Sequence, residues 1–392
     1  MTMKGTFIKL VSYGIENLHM NQDPEITFFK KVYKRHTQFS MESIEQTFID
    51  TPQFNSMSTI TIKRDGDLIS NMYLQVTLPS NEDFTDSYWT NRIGFNLINK
   101  VELYIGKKLI DRLYGLWCHI WVELTHSKDK KDIISKMVGS KNNDGYTNGL
   151  NVSSSHILTI PLLFSFCRNK GLAIPIVALQ ENIDITLKIY FEKKENCIQS
   201  GLIPSGNLSQ VKLWVDYIYL ERQENLNFAQ RPIEYLVEVN QHLERNLISS
   251  GVKNVALPFT LPCKELLWIV RNKKPQNDKF TDFCYNNKSM VKSVQFKFNS
   301  KNVFSSGSRN NDYFNYIIPY QAHTSLPDNG INAYSFCIYP EQLEPSGIIN
   351  FSHLTNPCIN IETSGNGMLH IFAICYNILH IENGDAKMIY KY

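Results

Sequence analysis

Val101-Glu102-Leu103-Tyr104-Ile105-Gly106-Lys107-Lys108 and Val294-Gln295-Phe296-Lys297-Phe298-Asn299-Ser300-Lys301 carry one pattern twice. Apolar and polar residues alternate, as on a half-buried strand, and each run then ends in a tight turn. Gly106 and Asn299 occupy matching places, and both residue types tolerate the positive φ that such turns require. Aromatic segments follow: Tyr114-Gly115-Leu116-Trp117 in the first case and Tyr313-Phe314-Asn315-Tyr316 in the second. Gly171-Leu172-Ala173-Ile174-Pro175 precedes an alternating strand at 183–190, and Gly347-Ile348-Ile349-Asn350-Phe351 precedes Cys358-Ile359-Asn360-Ile361. Each half closes on a long apolar strand, Val211 to Leu220 and Met368 to Leu379. The same elements recur in the same order about 180 residues further on, so the chain reads as two copies of one β-domain.

Period-two alternation extends well beyond the repeat. It recurs at Thr59–Lys63, Tyr73–Leu78, Tyr235–Val239 and Val294–Phe298, with Gly, Pro, Asn and Asp between the runs, the pattern of a sandwich or barrel. Helical spacing is clear at Leu113, Leu116, Trp117, Ile120, Trp121 and Leu124. A second, shorter helix is expected over Pro24 to Tyr33, with Pro suited to the first turn. Glu221 to Asn227 is polar, lacks alternation and reads as the linker; its shortness predicts that the halves pack side by side. A length of 392 residues favours two domains at roughly 100–200 residues each. Aromatic residues make up 12% of the chain, which favours pleated surfaces. A net charge of +3 without a long basic tract argues against a dedicated nucleic-acid binder, which neutralises many phosphates at once. No apolar run reaches the roughly 20 residues of a membrane-spanning helix. Met1 to Tyr13 has no apolar signal core, so synthesis in a reducing cytosol is expected, with the eight cysteines as buried free thiols.

No enzyme motif emerges. The ten histidines show neither HxH nor HExxH spacing; His353 and His370 read as ordinary strand residues; no GxSxG, P-loop or GxGxxG is present. Gly365-Asn366-Gly367 reads as a hairpin turn. Carboxylates such as Glu42 and Glu45 cannot be placed on a shared bond from sequence. The one basic cluster, Lys30-Lys31-Val32-Tyr33-Lys34-Arg35-His36, reads as a solvated helix end or a polar protein contact, and Lys128 to Asp132 as an exposed loop. The sequons at Asn151, Asn207, Asn287 and Asn350 read as chance matches in an Asn-rich chain. No catalytic, cofactor or metal-binding residue is assigned. At this point a shell protein and a sugar-binding module both remain open, since single jelly rolls serve either role.

Several stretches resemble the major capsid proteins of nucleocytoplasmic large DNA viruses. The run from Asn21 to Phe39, with Pro24, Phe28, Phe29, Tyr33, Arg35 and His36, is similar to that family's NPQITFFKxVYRRHTNF signature and departs from it at Asp23 and Glu25. Leu158 to Asn169, with Pro161, Phe164, Phe166, Arg168 and Asn169, is similar to IPLPFWFCRN, and the segment through Pro175 continues the match. Glu344 to Ser352, with Pro345, Ser346, Gly347, Asn350, Phe351 and Ser352, is similar to QPSGTLNFSR, and Phe372 to Leu379 resembles the closing strand. The resemblance implies an all-β chain of two tandem eight-stranded antiparallel jelly rolls (a double jelly roll) with a few short helices in loops. It implies an N-terminal segment at 1–33 on the capsomer base, a first roll at 34–222 and a second at 223–392. It further implies a structural, non-enzymatic virion protein, made in the host cytoplasm or a viral factory and carrying no cofactor. Its expected partners are itself, as a homotrimer, neighbouring capsomers, and minor capsid proteins or the inner membrane through the N-terminal segment, without specific nucleic acid. The alternative within the fold is a relative outside the lattice, acting as an assembly scaffold or a glycan-binding surface module.

Overall fold

The computed structural model describes residues 14–15, 21–140, 149–271, 280, 283–285, 288–327 and 330–390. Residues 1–38 form one unit and 39–392 another. In the larger unit, eight principal strands come first: β1 (Phe39–Thr47), β2 (Met57–Ile62), β3 (Leu68–Leu78), β4 (Ile98–Ile105), β5 (Lys108–Tyr114), β6 (His156–Pro161), β7 (Ile185–Phe191) and β8 (Ser209–Leu220). Eight more follow: β9 (Ile233–Leu247), β10 (Gly251–Ala256), β11 (Pro262–Arg271), β12 (Val291–Phe298), β13 (Lys301–Asn302), β14 (Asn332–Ser335), β15 (Cys358–Thr363) and β16 (Gly367–Glu382). The first set pairs as β1-β8-β3-β6 and β2-β7-β4-β5, the second as β9-β16-β11-β14 and β10-β15-β12-β13. Adding eight to every strand of the first roll reproduces the second, and every one of these pairs is antiparallel.

The duplication reaches into the details. Gly106 and Asn299 both have positive φ, at 59° and 51°, in the turns joining β4 to β5 and β12 to β13. Ile174–Pro175 adds a short strand to β3, and Ile349–Asn350 adds one to β11. After β5 comes helix α1 (Gly115–Thr125); after β13 the aromatic segment at Tyr313–Ile317 winds as a π-helix and continues as an α-turn to Ala322. Period-two burial is plain in β7, where Ile185, Leu187, Ile189 and Phe191 point inward and the residues between them are half-exposed. The aromatic surplus fills the cores. Trp268, Phe296, Phe304, Phe314 and Tyr334 meet at centroid distances of 5.1–6.3 Å, many edge to face. Such pairs each add about 0.5–1.5 kcal/mol beyond the area they bury.

Five sequence expectations are corrected. Pro24–Tyr33 is not helical: residues 24–38 carry no regular element and are exposed, and a short helix without a packing surface is marginal in water. Leu113 belongs to β5, and the helix begins only at Gly115. Lys128–Asp132 lies in helix α2 (Lys128–Met137), because Lys131 is drawn in to Glu123 at 3.2 Å. His353 ends a 3-10 turn, whereas His370 does lie in a strand. The polar linker folds as helix α3 (Arg222–Gln230). All eight cysteines are free; Cys118, Cys197, Cys263 and Cys375 are buried and the others half-buried. Gly365-Asn366-Gly367 does not close a hairpin: β15 and β16 lie in different sheets, so the segment crosses from one sheet to the other, and Gly367 is the first residue of β16.

Candidate functional site at the seam and motif segments

The two rolls share one hydrophobic cluster, and charged side chains are built into their seam. Phe164 ends the segment after β6; its ring stacks on Phe166 at 5.5 Å, and both are buried. The short helix Ser165–Arg168 that they anchor carries Arg168 across to the second roll. There Arg168 Nη1 meets Glu238 Oε2 on β9 at 2.6 Å, while Lys264 Nζ on β11 pairs with Glu238 Oε1. The main-chain N–H of Glu238 donates to Ser165 Oγ at 3.2 Å, and Lys264 also donates to the Gln342 carbonyl at 3.3 Å. Arg168 lies over the Trp121 ring at 4.8 Å. Burial, then the nearby Glu238 carboxylate, push the Tyr376 hydroxyl above its ordinary pKa.

A second bridge runs from α1. Glu123 pairs with Arg92 at 2.5 Å and with Lys131 at 3.2 Å, and Lys131 donates to Ser325 Oγ of the second roll at 2.7 Å. Burial raises the Glu123 carboxyl pKa, but Arg92, His119 and Lys131 outweigh it and bring it down to about 2. Nearby, His323 donates from Nε2 to Glu265 Oε1 at 2.7 Å and from Nδ1 to Glu341 Oε1 at 3.2 Å. Desolvation depresses this imidazole, yet the two carboxylates raise it to about 9, so it is held as a cation. At the rim Lys108 pairs with Asp385, and the Gln180 main-chain N–H donates to the Gly384 carbonyl at 3.0 Å. Between the rolls a cavity of about 400 Å³ is lined by Tyr114, Glu192, His242, Glu244, Arg271 and His370, among others. His242 faces His370 at 3.2 Å and stacks on Phe372 at 4.5 Å.

The motif residues fall into two groups. Those of the body fix turns and caps. Pro161 closes β6 opposite Tyr73, and Asn169 Oδ1 accepts from the Gly171 N–H at 2.9 Å. Pro175 is paired with Leu68. Ser346 Oγ accepts from the Tyr339 N–H at 2.9 Å beside the exposed Pro345. Gly347 sits at φ 145°, and a Cβ there would lie 2.7 Å from the Phe336 carbonyl oxygen. Asn350 Oδ1 accepts from both the N–H and the hydroxyl of Ser352, presenting Phe351 to Phe259, Phe298 and Phe336. The second group, Pro24, Phe28, Phe29, Tyr33, Arg35 and His36, lies exposed in the N-terminal unit. His36 Nδ1 is 2.7 Å from the Thr37 carbonyl. Of the sequons, Asn151 and Asn350 are tied into turns by their own side chains, and Asn287 lies outside the described residues. Sequence reasoning missed Glu238, Lys264, Glu123 and His323; the available signal was Lys264-Glu265 inside an otherwise apolar run. Among the described residues no group of three or more His, Cys, Asp or Glu could hold a metal ion, and no helix is long and apolar enough to cross a membrane.

Two eight-stranded rolls related strand for strand, joined by a short helix and a buried charged seam, define a double jelly roll. Residues 27–221 match the family described as "Major capsid protein N-terminus" and residues 221–386 the one described as "Large eukaryotic DNA virus major capsid protein". The chain belongs to this family of major capsid proteins of large eukaryotic DNA viruses. It is 34% identical to the major capsid protein of Pyramimonas orientalis virus, over 99% of this chain and 100% of that one. It is 29% identical to the major capsid protein of Paramecium bursaria Chlorella virus 1, over 99% and 100%. The capsid structure of PBCV-1 virus superimposes with a TM-score of 0.82 at 25% identity, covering 93% of this chain and 100% of that one. The Faustovirus major capsid protein shares the fold, with a TM-score of 0.76 at 12% identity over 94% of both chains.

Proposed function

We propose that this chain is a shell subunit that forms homotrimers, and that the trimers act as pseudo-hexagonal capsomers tiling an icosahedral capsid. In this reading 34–222 and 223–392 are the two rolls, and 1–33 lies at the capsomer base, toward minor capsid proteins or the inner membrane. The observation that carries it is the strand-for-strand duplication. Two near-equivalent rolls in each of three chains present six near-equivalent edges, which suits a hexagonal lattice under closed threefold symmetry. Exposed bulky side chains on the second roll, Tyr316, Ile317, Tyr320, Ile338 and Tyr339, offer apolar surface for contacts between subunits. No step of chemistry is required of the protein. Its work is to hold two rolls at a fixed angle, and the ion pairs of the seam supply that rigidity. Light scattering on the purified protein should give about three times 45.4 kDa. A strictly monomeric protein at high concentration overturns the reading.

A further inference from the structure

The aromatic and basic run at 24–36 contributes to neither roll's strands. Phe28 is 91% exposed, Phe29 97%, and Val32 and Tyr33 80% each. Bulky apolar side chains so fully in water mark a surface that another body covers. Lys30, Lys31, Lys34 and Arg35 form no ion pair with any described residue.

The spacing identifies the covered form. In a strand, each face would mix Phe28 with Lys30 and Phe29 with Lys31, so neither face would be apolar. In a helix, Phe28, Phe29, Val32 and Tyr33 fall at i, i+1, i+4 and i+5 on one side, Lys30, Lys31 and Lys34 fall on the opposite side, and Arg35, seven residues after Phe28, lies at the boundary between them. Pro24 suits the first turn, and neither Gly nor Pro interrupts 25–38. A helix of about twelve residues has no stability of its own in water, which accords with the irregular backbone of residues 24–38.

We infer that Glu25–His36 is an interfacial helix that folds on an anionic lipid surface, its aromatic face in the acyl boundary and its cations among the headgroups. This deepens the reading of 1–33 as an inward-facing base and rests on it. A protein groove would accept the aromatic face equally well, but it has no general use for three unpaired cations opposite that face and a fourth at its edge. An anionic bilayer meets both faces at once.

The test uses the purified full-length chain and vesicles of phosphatidylcholine with or without about 30% phosphatidylglycerol. Flotation should recover the protein with anionic vesicles only, and hydrogen exchange should show new protection confined to residues 25–36. Lys30→Gln with Lys31→Gln should weaken binding on the order of 30-fold. Val32→Pro keeps the charge and most of the apolar surface but cannot continue a helix; it should abolish both binding and protection. Equal binding to neutral vesicles, undiminished binding by Val32→Pro, or protection of 25–36 arising without vesicles each overturns the inference. Light scattering on the same samples separates the two readings. Protein that trimerises but ignores anionic vesicles overturns the lipid helix alone, and protein that binds them as a monomer overturns the trimer alone.

Discussion

Glu238→Gln removes one carboxylate from the seam and leaves two cations behind. Lys264 is wholly buried, and the Arg168 side chain is 16% exposed. Both hydrogen-bond to Glu238, and the remaining acceptor for Lys264 is the Gln342 carbonyl at 3.3 Å. An amide cannot compensate two buried positive charges, so the change should destabilise the protein by about 3–5 kcal/mol, as expected when one partner of a buried ion network is lost. The unit from Phe39 onward holds roughly 350 residues. At about 2.1 cal/mol/K of unfolding entropy per residue, that loss lowers a cooperative melting midpoint by about 4–7 °C. Differential scanning calorimetry reads it directly. Because the network spans both rolls, a single wild-type transition should also broaden or split as the rolls uncouple. Lys264→Met alone leaves Arg168 and Glu238 paired and should be milder. The double variant Glu238→Gln/Lys264→Met should recover about half the loss, since one stranded charge is gone. A Glu238→Gln midpoint within 1 °C of wild type would refute the reasoning, because it would mean that no net charge interaction is buried there.

Gly347→Ala should destabilise by about 2–4 kcal/mol, since its φ of 145° and the carbonyl 2.7 Å from a Cβ leave no room; urea midpoints check it. Ser300→Gly should stabilise by about 0.5–1 kcal/mol, because Asn299 and Ser300 both hold positive φ in the β12–β13 turn and Asn-Gly suits that turn best; thermal melts at matched scan rates read the gain. Burial lowers His242 to about 4 against an ordinary 6.5, so the unfolded chain binds the proton more readily. This part of the stability is therefore whole above pH 6.5 and falls by about 2–3 kcal/mol as pH drops toward 4, and His242→Gln should flatten the slope of urea midpoint against pH. His323 runs the other way: raised to about 9, it contributes fully below pH 6.5, and the contribution is lost as pH rises through 9, a loss that His323→Gln should remove.

What could be read from the residues, and what could not, follows from where the information lies along the chain. Strand, turn and repeat are local. Alternation over eight residues fixes a strand's inward face, and a Gly or Asn at its end marks the turn, so the match of Gly106 to Asn299 announced the duplicated topology before any contact was known. Motif residues such as Asn350 and Gly347 act on neighbours within a few positions, so their caps and turns are local too. The seam is different. Arg168, Glu238 and Lys264 lie 70 and 26 positions apart, and pairing among them is decided only once β9 and β11 share a sheet beside the helix at Ser165–Arg168. Alternation would send Lys264 to solvent; instead Cys263 to Val270 of β11 are all buried, because one face packs into the roll and the other against its surroundings in the seam. The helix expected at Pro24–Tyr33 fails for the converse reason. Its amphipathic spacing is real, but a helix that short forms only against a surface that completes it. The same pattern was thus an incorrect statement about the isolated chain and is a usable one about its partner, since a periodicity that folding leaves unpaired specifies the shape and charge of whatever must complete it.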